Sequence, residues 1–167
     1  MTEASTDCPG TYPPGPGQSH LFGVTVDSVQ LPRGATGFTS CSPPVDVRAF
    51  KSLGYSVGPV VSFQPAGVTP NFHLLTLRLP TGDLGVVCHE LLPLIAFVTV
   101  PLVDFSLAFV SRPDLTPSFP GFEALTPDAL DTPVSRADLS LLDPAEHRQI
   151  RYWRPATIGE ILFNYWD

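Results

Sequence analysis

A chain of 167 residues is the size of one domain, and its 43% hydrophobic content with slightly positive mean hydropathy excludes a wholly disordered chain. Twenty prolines and thirteen glycines exclude long helices and favour short strands joined by turns. Sixteen acids against nine bases give a net charge of −7, which repels phosphate backbones and anionic lipid surfaces, so neither nucleic acid nor a membrane is an expected partner.

Lys51 is the single lysine among the bases, and asparagine occurs only at Asn71 and Asn164. This is the bias of a GC-rich bacterial coding sequence. Cys8, Cys41 and Cys88 are odd in number and widely spaced, which points to a reducing cytoplasm rather than a disulfide framework or a zinc site. The start of the chain has no basic, apolar leader. The most apolar run, 91–103, is broken by Pro93 and Pro101 and is shorter than the roughly 20 residues of a spanning helix.

Residues 1–19 read as a Pro/Gly-rich arm, solvated or docking through Tyr12, with 20–167 as a single β-rich domain. Alternation over 21–28 predicts a first strand, Gly34, Gly37, Pro43 and Pro44 mark a loop, and 57–63 predicts a second strand. Residues 72–79 and 84–91 predict a hairpin around Pro80-Thr81-Gly82-Asp83. The run 94–100 predicts a strand covered on both faces, and 105–110 an alternating strand with Phe105, Leu107 and Phe109 on one side.

Beyond Ser111, five prolines break a long connection. Three helix starts follow, at Ser135, at Asp143-Pro144-Ala145-Glu146 and at Thr157-Ile158-Gly159-Glu160, so a helical cap is expected over about 135–167. Ile158, Ile161, Leu162 and Tyr165 share one helical face, and the last helix should dock on the sheet. The predicted fold is mainly β, an antiparallel sandwich or partly closed barrel, with short C-terminal helices, in the α+β class.

No nucleotide-binding glycine motif, phosphate loop, nucleophile elbow, zinc-protease motif or EF-hand loop is present, and no motif calls for a cofactor or a metal. With a four-residue turn, His73 lies opposite Glu90 at the rim of an apolar face, and His89 lies on the other face with Phe72, Leu74 and Thr76. A carboxylate beside an imidazole there suits acid–base chemistry, and it equally suits an ordinary cross-strand polar pair. A metal at His73 and Glu90 would need a third ligand such as His20 or Asp104. Asp104, after a long apolar run, is a second catalytic candidate if partly buried.

Tyr152, Trp153 and Arg154, with Trp166 and Tyr12, are of the types enriched at protein interfaces. Two readings follow. One is a small soluble, non-catalytic binding or accessory protein with a protein partner. The other is a small β-barrel enzyme, such as a cyclase, isomerase or hydrolase, acting on an apolar small molecule through His73 and Glu90.

Overall fold

The computed structural model describes residues 23–25, 28–39 and 43–167. The Pro/Gly-rich arm with Tyr12, together with His20, Cys8 and Cys41, lies outside the described residues. Among those described, mainly strand structure with a few short helices makes an α+β fold, as the sequence predicts.

The large sheet is built around an antiparallel meander. Strands β3 (Val60–Gln64), β4 (Phe72–Leu79), β5 (Gly82–His89) and β6 (Leu94–Thr99) pair in order, and β7 (Phe109–Val110) continues the antiparallel path. Strand β8 (Glu123–Ala124) pairs in parallel with the start of β6, so the sheet is mixed. Among the described residues the sheet is open: β3 forms one edge and does not return to β7, so no barrel closes. A smaller sheet sets β1 (Gly23–Thr25) antiparallel to β2 (Ser28–Gln30), with β9 (Ala137–Asp138) parallel to β2. The single strand expected over 21–28 therefore gives way to two that fold back on each other.

Both faces of the large sheet are covered, which explains why β5 and β6 are almost wholly apolar. On one face Leu75, Leu77, Val86, Cys88, Ile95 and Phe97 pack with Phe50 and Phe119. Phe50 comes from helix α1 (Val47–Val57), whose N-cap Asp46 accepts from the Ala49 N–H at 3.0 Å. Gly54 brings this helix close to β4, since a Cβ there would stand 2.0 Å from Leu75 Cδ2. Gly34, Gly37, Pro43 and Pro44 predict a loop here, and a helix forms instead.

On the other face Phe72, Val87, Leu94, Ala96 and Val98 pack against Leu31, Leu130, Ile158, Ile161 and Leu162. Leu130 belongs to the short helix α2 (Pro127–Leu130), and the last three to α4 (Ile158–Leu162). Burying each such side chain is worth about 1.5–3 kcal/mol, so the C-terminal helix is part of the core. It ends at Leu162, one turn earlier than its apolar stripe suggests, and Tyr165 lies beyond it.

Two of the three expected helix starts hold. Asp143 caps α3 (Pro144–Trp153) in a reciprocal capping box with Glu146, and Thr157 caps α4. At Ser135 only a single 3₁₀ turn forms before β9 pairs with β2, so the helical cap begins at Pro144. Glu146 is fully buried and has a second task. Its Oε1 accepts from the Gly34 and Thr36 N–H groups at 3.0 and 3.2 Å and from the Thr36 hydroxyl at 3.1 Å, tying α3 to the loop after β2.

Candidate functional site

The β4–β5 hairpin keeps the predicted faces but not the predicted partners. Its loop has two residues, Pro80 and Thr81, instead of four, and Leu79 pairs with Gly82. The register therefore slips by two, and His73 lies opposite Cys88. His73 and His89 do lie on opposite faces. The His73 Nδ1 accepts from the Ala66 N–H at 2.8 Å, and the ring stacks on Phe63 with centroids 6.0 Å apart. Burial lowers its pKa and favours the neutral ring.

Glu90 has left the strand. The His89 Nδ1 accepts from the Leu91 and Leu92 N–H groups at 3.0 and 3.2 Å and turns the chain just there. The Glu90 carboxylate lies against Gly37, and burial raises its pKa. The expected cross-strand pair of His73 with Glu90 is thus not formed. His89 is fully buried. With Nδ1 accepting twice, its Nε2–H donates to the Ala35 carbonyl at 3.0 Å. Burial drives its pKa down to about 4, and the same cause pushes the Cys88 thiol well above its usual range. Among the described residues no three His, Cys, Asp or Glu side chains come together in a way that could hold a metal ion.

Asp104 is exposed, not partly buried. It and Phe105 are the central residues of a tight turn, closed by the Ser106 N–H donating to the Val103 carbonyl at 2.9 Å. Both have left-handed backbones, with φ of 50° and 56°. Two successive left-handed residues form the hairpin turn that Asn-Gly favours, and Phe is a poor occupant of it. The strand expected over 105–110 is reduced to Phe109–Val110 for this reason.

This turn forms one wall of a cleft of about 500 Å³. The last residue of α3, Trp153, and the chain beyond it supply much of the rest of the lining, including Glu160, Phe163, Tyr165 and Trp166. Phe105 is 78% exposed and meets the Tyr165 ring edge-on at 5.4 Å, and Tyr165 also meets Phe72 edge-on at 5.3 Å. Trp153 and Trp166 lie parallel, 6.1 Å apart and within 4°. Asp131, at the end of α2, adds a further carboxylate.

Three sequence-predicted residues, Asp104, Trp153 and Trp166, converge here although no spacing links them. Tyr152 and Arg154 are exposed on the end of α3 and do not line the cleft. Asp131, Glu160, Phe105 and Tyr165 also line it, and the sequence offers no signal that groups them. Glu160 reads as a helix cap and does accept from the Ala156 N–H at 2.6 Å. Phe105 reads as a strand residue on one side with Leu107 and Phe109, and its turn conformation leaves it exposed.

Comparison with protein families, with curated proteins and with solved structures finds no match. Among the described residues no helix is long and apolar enough to cross a membrane.

Proposed function

We propose that the protein is a non-catalytic binding protein of the bacterial cytoplasm, a single domain over 20–167, whose ligand site is the cleft lined by Phe105, Trp153, Tyr165 and Trp166. The observation that carries this reading is the cleft itself. Its volume of about 500 Å³ lies in the range of small-ligand sites, and its walls combine aromatic rings with a few polar groups. The chemistry available elsewhere supports binding over catalysis. His73 and His89 are buried with ring nitrogens engaged by the backbone, and Cys88 is sealed in the core. In this reading Tyr152 and Arg154, exposed at the C-terminal end of α3, would touch a protein partner.

The two tryptophans of the chain both line the cleft, which makes them reporters of it. The test is titration with N-phenyl-1-naphthylamine, an uncharged aromatic probe that accepts energy from tryptophan. Saturable energy transfer, lost in Phe105→Ala, is the expected result. Binding without transfer, or binding indifferent to Phe105→Ala, would place the site elsewhere and overturn the proposal.

A further inference from the structure

The cleft carries two features that select the same kind of ligand. One is aromatic. The Phe105 ring is uncovered, and Tyr165 and the stacked tryptophans lie beside it. A ring presents a negative face, which attracts a cation lying over it. The other is charge. Asp104, Asp131 and Glu160 line the cleft and are all exposed, while no Lys, Arg or His is among the described residues that line it. Glu160 is partly committed to the Ala156 N–H, but Asp104 and Asp131 make no side-chain hydrogen bond or ion pair among the described residues. Arg151 and Arg154 stand on the end of α3, exposed and outside the lining. The net charge of −7 adds to the attraction for a cation.

A compact primary ammonium is strongly hydrated and needs hydrogen-bond acceptors for its three N–H groups. A methylated ammonium has no such need, spreads its charge over its methyl groups and fits an aromatic wall. We propose that the cleft binds a quaternary or multiply methylated ammonium group, held by cation–π contact with Phe105 and by the field of Asp104 and Asp131. This rests on the cleft being the ligand site.

The experiment is a tryptophan-fluorescence titration with choline and with 3,3-dimethyl-1-butanol, which has the same shape and no charge. Choline should bind about tenfold more tightly than the butanol, a factor within reach of cation–π and surface-charge effects. The double variant Asp104→Asn, Asp131→Asn should weaken choline about fivefold and leave the butanol unchanged. Asparagine tolerates the left-handed backbone of position 104, so the turn should survive. Phe105→Leu, which keeps an apolar side chain without a π face, should weaken choline alone.

A peptide carrying one trimethyllysine separates two sources of the head group. Binding tighter than choline assigns a protein partner, and equal or weaker binding assigns a free small molecule; both support the proposal. Equal affinity for choline and the butanol would overturn it, as would no response to choline while the naphthylamine still binds, and both results leave the cleft as the ligand site. Failure of the naphthylamine as well would remove the cleft reading and this inference together.

Discussion

Asn71 and Asn164, the two asparagines of the chain, close on each other across the core: the Asn164 N–H donates to Asn71 Oδ1 at 2.8 Å, and the Asn71 N–H donates to the Asn164 carbonyl at 3.2 Å. The side chains extend the contact. Asn71 Nδ2 donates to the Leu162 carbonyl at 3.1 Å, and Asn164 Nδ2 donates to the Thr36 and Ile161 carbonyls at 3.0 and 2.8 Å. Asn164 Oδ1 accepts from the Trp166 N–H at 3.2 Å. One polar knot thus joins the loop after β2, the start of β4 and the segment that carries Tyr165 and Trp166 into the cleft. Asn71→Ala would leave the Asn164 N–H and the Leu162 carbonyl buried without these partners. The expected loss is about 3 kcal/mol in urea unfolding. A loss below about 1 kcal/mol would show that the knot is not what holds the C-terminal segment.

His89 makes stability depend on pH. The folded ring resists protonation down to about 4, whereas an unfolded chain protonates near 6.5. Because the folded value is the lower one, the contribution is fully present above pH 6.5. It is lost progressively as the pH falls toward about 4. That interval is worth about 3 kcal/mol at the usual cost of a shifted titration. Nitrogen NMR of the ring should show the neutral Nε2–H tautomer over most of this range, with protonation only near its lower end. Protonation of His89 near pH 6.5 in the folded protein would contradict its sealed environment.

Gly54 sets how closely α1 lies on the sheet. Gly54→Ala gains about 1 kcal/mol of helix propensity. Against this stands the clash of the new methyl with Leu75 Cδ2, an overpacking cost of about 1–3 kcal/mol or more. The variant should melt at a lower temperature than the parent. In a Leu75→Ala background the same substitution should be neutral or stabilising. Additive effects of the two changes would show that they do not share this contact.

The turn at Asp104–Phe105 should separate binding from stability. Phe105→Gly relieves a left-handed residue, worth about 1 kcal/mol or more, and loses an edge-on ring contact of about 1 kcal/mol. These offset, so the melting temperature should change little while binding of choline is lost. A clear loss of stability without loss of binding would make Phe105 a structural residue.

How far the fold is legible in the sequence depends on the range of the interactions. The two hairpin faces follow from alternation alone, and a register slip of two residues preserves them, which is why His73 and His89 are correctly placed on opposite sides. The partner of His73 depends on the length of the turn, where Gly82, with φ of 121°, is a strand residue and not a loop residue. Helix α1 was readable: Asp46 precedes Phe50, Leu53, Gly54 and Val57 at helical spacing, but the neighbouring Pro43, Pro44 and Gly58 resemble loop punctuation. The N-caps at Asp143 and Thr157 are local, so α3 and α4 start where predicted. The cleft is not local. It joins residue 104 to residues 131, 153 and 166, and no periodicity encodes that meeting. Glu146 is a similar case, since its cap is written in four residues while its bonds to Gly34 and Thr36 span more than a hundred.

The most direct test of the cleft uses the indole N–H resonances of Trp153 and Trp166. The first donates to Gln149 Oε1 at 3.2 Å, and both rings line the site, so a proton–nitrogen NMR spectrum reads the cleft through two assigned peaks. Titration with choline should shift both indole peaks together with the amides of Asp104, Phe105 and Tyr165, and leave those of β3 and β4 in place. Indole peaks that stay fixed while other amides move would contradict the central claim.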